Sequence, residues 1–365
     1  MNWIKRLGAV LLPPEPPGRR LQLDGVRALA MVGVLYVHFW DKNPLTENLR
    51  VSLFFVVSGF LITHILWSAK AYGGGLRVVN FYIRRALRLF PPLAVLVAVG
   101  VAFDMDGFRQ LWPWHLFQMS NFYFVTSETL RPWVAGHLWS LNIVEQFYLF
   151  WPLVILFLPL RHIYVVAITL FLTGLFLHSL GGHLSVNGWW KFFVFSFDPI
   201  FAGVLFYLLA RHKDFVEVVA SRPVLVVALL VVFSPLYMWD GLSQSEAYRM
   251  ACQPALGVIV LGAFVGYRGP LGRLLQSRIA RFLSKISYGV YMYHLAVYWA
   301  LLQLNPNGFP LGPKTFLIAS GLTVIAATAS WFLVEEPLSR LKARFPTKAD
   351  ERPEPAPNGT LTSES

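Results

Sequence analysis

Long apolar stretches separated by short basic loops recur along the whole chain, and this pattern limits the fold more than any other feature. A helix needs about 20 apolar residues to cross the hydrocarbon core of a bilayer. Inside that core every backbone N–H and C=O must be bonded internally, which leaves only helices and closed barrels. Uninterrupted apolar runs belong to helices, because barrel strands alternate. We read ten such stretches, at roughly 25–41, 50–69, 89–104, 141–160, 163–180, 192–210, 223–239, 251–267, 286–304 and 315–334. The predicted fold is all-α, a polytopic integral membrane protein of about ten transmembrane helices. The chain is only 14% charged, against about a quarter in soluble domains.

Loop charges predict the orientation. With ten spans, one side collects Lys5, Arg6, Arg19, Arg20, Lys70, Arg77, Arg84, Arg85 and Arg88 from the first half, and Arg161, Arg211, Arg273, Arg281 and Arg340 among others later. The other side holds Lys42, Arg50, Arg109, Arg131, Lys191, Arg249 and Lys314. The biased side is the cytoplasm. This predicts a multi-pass protein of a bacterial inner membrane with both termini inside. A span over 111–125 would reverse everything downstream, and its Trp112, Pro113, Trp114, His115 and Asn121 suit an interfacial or re-entrant segment. The net charge of +12 is spread over loops rather than gathered on one face, so no nucleic-acid partner is expected. Residues 1–20 form a cytoplasmic segment with no cleavable signal: Lys5 and Arg6 precede only a short apolar run and then prolines. A transmembrane domain over 21–345 follows, then a Pro-, Glu- and Ser-rich tail over 346–365 that is expected to be disordered. Cys252, the single cysteine, reads as inert packing.

Charged groups within spanning helices are costly and mark function. The first span carries Arg27 and His38, eleven residues and about 16 Å apart on one helix face. Asp24 is placed to pair with Arg27, though Arg27 could also snorkel to headgroups. Glu145 follows His137, Leu138, Trp139, Ser140 and Leu141 in the fourth span, and Asp198 stands before Pro199 in the sixth, where a helix cap is one reading. His294 ends the run Ser287-Tyr288-Gly289-Val290-Tyr291-Met292-Tyr293 and could be a hydrogen-bonded core histidine. His64 and His178 read as packing. On this topology His38, Glu145 and Asp198 lie in the outer half. Arg84, Arg85 and Arg88 lie at the inner surface, where they could simply follow the positive-inside rule or clamp phosphates.

Several runs carry a family likeness: Leu23-Asp24-Gly25-Val26-Arg27 with His38, Phe54-Phe55-Val56-Val57-Ser58-Gly59, Tyr82-Ile83-Arg84-Arg85-Ala86-Leu87-Arg88, His137-Leu138-Trp139-Ser140 with Glu145, Ser287-Tyr288-Gly289 with Tyr291 and His294, and Glu335-Glu336-Pro337. In this order, from about Leu21 to Leu341, the chain resembles membrane acyltransferase family 3, the bacterial O-acyltransferases of surface polysaccharides. The resemblance implies about ten helices, an acyl-CoA donor (acetyl-CoA above all) with no permanently bound cofactor or metal, and a sugar hydroxyl as acceptor. It implies that Arg27 and His38 are essential and that Arg84, Arg85 and Arg88 serve the donor. Some relatives add an esterase-like periplasmic domain, and none is expected here.

Acyl transfer to a hydroxyl needs a base, because an alcohol is a poor nucleophile. His38 fits, with Glu145 to orient its ring and Ser140 or Trp139 to donate to the oxyanion. Phosphates held at Arg84, Arg85 and Arg88 would let the pantetheine arm thread toward His38. The expected partners are acyl-CoA, a glycan or lipid-linked saccharide, and membrane lipids. The competing reading is a transporter or flippase of a lipid-linked saccharide, for which buried His, Glu and Arg are equally natural, although no inverted repeat is visible.

Overall fold

A computed structural model describes residues 21–71, 78–183, 197–238 and 240–346. The predicted N-terminal segment, nearly all of the predicted tail and the start of the 192–210 stretch lie outside them. Among the described residues there are helices and no strands. The main helices are α1 (Leu21–Phe39), α2 (Pro44–Ala71), α3 (Val78–Ala102), α4 (Phe108–Leu116), α5 (Ser120–Thr126), α6 (Leu138–Phe157) and α7 (Leu160–His183). They continue as α8 (Asp198–Leu209), α9 (Lys213–Val219), α10 (Arg222–Val232), α11 (Glu246–Val265), α12 (Gly269–Leu275), α13 (Arg278–Leu304) and α14 (Pro313–Ser330).

Each predicted apolar stretch overlaps a helix. Among the described residues, six helices are long and apolar enough to cross a membrane, or seven if α9 and α10 form one span bent by 61°. The stretch expected over 223–239 is α-helical only to Val232 and continues as a short 3-10 turn, Ser234–Leu236. Pro223 begins a new helix at α10, where its missing N–H costs nothing. Helices α1 and α13 have the length but carry charges, and α8 is apolar but has only 12 residues. Residues 111–125 form parts of α4 and α5, both too short to cross, with a reversal at Gln118 (φ 59°). Asn121 ties this cap to α6 through its backbone N–H to Asn142 Oδ1 (3.1 Å), and Gln146 Nε2 donates to its side-chain oxygen (3.1 Å).

Helix direction gives the bundle two distinct ends. At one, Lys70 Nζ closes the last turn of α6 by donating to Ile155 O (2.6 Å) and Leu158 O (2.8 Å), and Arg211 lies 3.9 Å over the Trp67 ring. We call this the basic end; α3 and α13 begin there. At the opposite end α1 finishes with His38 while α2 and α6 begin. Helices α7 and α14 form the outer wall and keep large apolar side chains outside, such as Phe176 (63% exposed) and Ile325 (65%), as a lipid-facing surface requires.

Helices α2 and α8 meet backbone to backbone at two glycines. A Cβ on Gly59 would collide with the carbonyl oxygen of Ile200, and one on Gly203 with that of Val56. Thr63, one turn after Gly59, returns its hydroxyl to Gly59 O (2.7 Å) and accepts from Trp151 Nε1 (2.9 Å), which locks α6 onto the same crossing. We expect Gly59→Val and Gly203→Val each to destabilise the fold by at least the about 1–3 kcal/mol typical of overpacking. The readout is a lower thermal midpoint and less monodisperse protein in detergent; wild-type behaviour would mean that the two backbones do not touch.

Candidate active site

At the end away from the basic residues three imidazoles stand in a row. His38 lies edge-on to His294, with ring centroids 4.7 Å apart, and His294 lies edge-on to His137 at 4.8 Å. His38 Nδ1 is 2.8 Å from Val34 O, one turn back on α1. A carbonyl only accepts, so Nδ1 carries the proton and Nε2 of the neutral ring keeps its lone pair. His294 is fixed in the same way by Tyr291 O at 2.7 Å. Its Nε2 is buried and has no hydrogen-bond partner. The rings face one another edge-on rather than converging, and among the described residues no group of three His, Cys, Asp or Glu side chains could hold a metal.

Below the histidines, Tyr291 bridges α13 and α6. Its hydroxyl donates to His137 O (2.6 Å), which leaves Ser140 to donate across the 2.6 Å contact with the same oxygen. Ser140, expected as an oxyanion donor, is therefore already committed. Trp139, the other expected donor, packs edge-on against Phe55 and lines neither of the cavities described next. Arg50 occupies this level instead. Sequence reasoning counted it only as a loop charge, yet its side chain is 9% exposed, and its Nε is buried with no hydrogen-bond partner. The signal in the sequence was its place beside the apolar run that follows it, nearly two turns into the helix.

Two cavities of about 560 Å³ each run down the bundle from this point. The upper one is lined by Val34, Arg50, Ser140 and Tyr291, and the lower one by Arg85, Arg88, Glu145 and Tyr148. Arg27, Phe54, Leu141 and Tyr288 line both, so the cavities meet around Arg27. His38 sits one turn beyond Val34, past the upper end.

The expected partners change in two places. Glu145 does not orient His38: it is seven residues into α6, about 10 Å below the helix start, and shares the lower cavity with Arg85 and Arg88. Of the three arginines, Arg85 and Arg88 line that cavity, with Arg85 also stacked 4.7 Å over Tyr148. Arg84 lies 100° around the helix from Arg85 and donates to Lys342 O and Phe345 O, both at 3.3 Å. Asp24 keeps its electrostatic interaction with Arg27 and also accepts from Ser284 Oγ (3.1 Å), which ties α1 to α13.

The chain ends its last long helix in a π-helical turn, Trp331–Glu335, of the kind often found at functional sites. It separates two adjacent acids. Glu335 is buried and accepts from Ser330 Oγ (3.2 Å), with its Oε1 near Gly289. Glu336 pairs on the surface with Arg340 (3.7 Å).

A family model described as an acyltransferase domain matches residues 20–335, nearly the whole described bundle. The chain belongs to that acyltransferase family. A "Putative O-acetyltransferase" of Staphylococcus aureus (strain COL) is 27% identical over 356 residues, covering 87% of this chain and 57% of that protein. The O-acetyltransferase OatA of S. aureus (strain NCTC 8325) is 34% identical over 168 residues, covering 42% of this chain and 27% of OatA. The chain thus spans little more than half of the longer match's own length. No solved structure matches it.

Asp198 stands apart from the two cavities. It is fully buried and holds Arg249 by a two-point contact, Nε to Oδ2 at 3.1 Å and Nη2 to Oδ1 at 2.6 Å, with Gln253 Nε2 also donating to it. Its side chain joins α8 to α11 and caps no helix. Removing one member of a buried pair strands the other charge, at about 3–5 kcal/mol. Asp198→Ala should therefore lower the thermal midpoint and folded yield sharply, whereas His38→Ala should leave both near wild type. Equal midpoints would show that the pair is not structural.

Proposed function

We propose that this protein is a membrane-bound O-acyltransferase that moves an acyl group from acyl-CoA to a hydroxyl of a surface glycan or lipid-linked saccharide. Acetyl is the group we favour, since the relatives are named O-acetyltransferases. The observation that carries the reading is one line of cavities with guanidinium groups at one end and a single-tautomer histidine just beyond the other. Family membership favours transfer over the flippase reading. In the same reading the protein lies in a bacterial inner membrane with the basic end and both termini in the cytoplasm, consistent with the loop charges.

In this proposal Arg85 and Arg88 hold the donor's phosphates, for which a guanidinium's fixed fork is suited. Glu145 balances their charge in the lower cavity. The pantetheine arm runs past Arg27 into the upper cavity, whose apolar wall of Met31, Val34 and Leu141 keeps water from the thioester. The acceptor oxygen bonds to the acyl carbon while its proton passes to His38 Nε2. Arg50 faces the negative charge that develops on the carbonyl oxygen. The C–S bond then breaks, and the proton on His38 goes to the departing thiolate.

His38→Gln keeps polarity without a useful base, so turnover per folded molecule should fall about 10²–10⁴-fold with donor binding nearly intact. Substantial transfer by this variant would sink the assignment and move the base to His294 or His137.

Arg85→Ala and Arg88→Ala should instead raise the KM for acetyl-CoA, and added salt should do the same to the wild type. Unchanged donor affinity in both folded variants would remove the arginines from the donor site.

A further inference from the structure

A third cavity lies against α2, on the face next to the one that lines the upper cavity. It spans about 970 Å³, part of it open to solvent, and is walled by Glu47, Asn48 and Ser52 of α2, by Ser243, and by Arg249 and Gln253 of α11. Its place in the bundle follows from α2, which begins five residues after the end of α1. The cavity therefore opens at the end where His38 stands. The two faces of α2 touch through one contact: Glu47 Oε1 on this side lies 3.9 Å from Arg50 Nη2 on the other.

The chemistry of the wall selects a class of ligand. Its ionisable groups are already paired, Glu47 with Arg50, Arg249 with Asp198 and His178 with Glu246. That leaves no net attraction for a phosphate. The wall mixes polar groups with the apolar faces of Pro44, Tyr248 and Cys252, as a sugar's two-sided surface requires. What it offers is fixed hydrogen-bonding groups. Asn48 is oriented by donating to Ser243 O (3.0 Å). Gln253 is only 1% exposed, and its amide nitrogen is turned to Asp198. Its Oε1 is left buried with no hydrogen-bond partner, a costly arrangement unless a donor arrives. A neutral, hydroxyl-rich molecule supplies donors and acceptors together.

We propose that this cavity is the acceptor subsite and binds an uncharged saccharide, presenting one hydroxyl past the Glu47–Arg50 contact to His38. The inference rests on the O-acyltransferase reading and gives it an entrance separate from the donor's. Donor and acceptor then approach from opposite ends, and α2 keeps them apart until the reacting atoms meet.

Ser52 tests this, because it lines the third cavity and neither of the other two. The full chain, in membranes that contain its own glycans, is given radiolabelled acetyl-CoA. Label in the glycan fraction is measured per folded molecule, and acetyl-CoA binding is measured separately on purified protein. Ser52→Phe should cut glycan labelling by about tenfold or more through a raised acceptor KM while acetyl-CoA binds as in the wild type. If Ser52→Phe folds poorly, Ser52→Leu replaces it with a smaller block. Undiminished labelling by the folded Phe or Leu variant overturns the subsite, as does loss of acetyl-CoA binding together with labelling. A wild-type protein that neither binds acetyl-CoA nor labels glycan overturns the acyltransferase reading itself and the subsite with it.

Discussion

A guanidinium cannot shed its charge at any ordinary pH, and hydrocarbon cannot solvate it. Arg27, on the buried face of α1, therefore forces the surrounding helices to enclose a polar interior. Arg85, Arg88 and Glu145 share the lower cavity with it, and Tyr288 closes the wall while donating to Leu89 O (3.0 Å). The apolar side chains left over are turned outward on α7 and α14. A polar seam inside and a lipid-facing shell outside are two results of the same cost.

The periodicity of the chain made the helices legible, because each apolar run is long and the alternatives in lipid are few. It also separated α4 and α5 from the spans, since Pro113, His115 and Asn121 cannot sit together in hydrocarbon without partners. Arg27, His38, Tyr291 and His294 were legible as site candidates for a related reason: polar groups stand out against an apolar background. What could not be read was rotation and pairing. Nothing local tells whether Glu145 faces His38 or the arginines, because that depends on how α6 turns against α3. Arg84 and Arg85 are neighbours in sequence and point to different places. Asp198 looked like a cap because Pro199 follows it, while its partner Arg249 is 51 residues away. Arg50 was hidden by its position near a helix start, where a basic residue is usually a loop charge.

The unusual feature of the candidate site is how little of it is free to adjust. Val34 O selects the His38 tautomer, Tyr291 O selects that of His294, and Tyr291 in turn is held by His137 O and Ser140. Apart from His137 O, in the turn that starts α6, these contacts come from helices, so side-chain positions are set largely by helix packing. A base in an apolar bundle gains from this rigidity. Water would compete with a sugar hydroxyl for an activated thioester, and a site whose base is fixed in one tautomer favours the nucleophile that is held in place. In the mechanism proposed here, selectivity for transfer over hydrolysis comes from the same packing that makes the protein stable in the membrane. Loosening that packing should raise the relative rate of acyl-CoA hydrolysis before it abolishes donor binding.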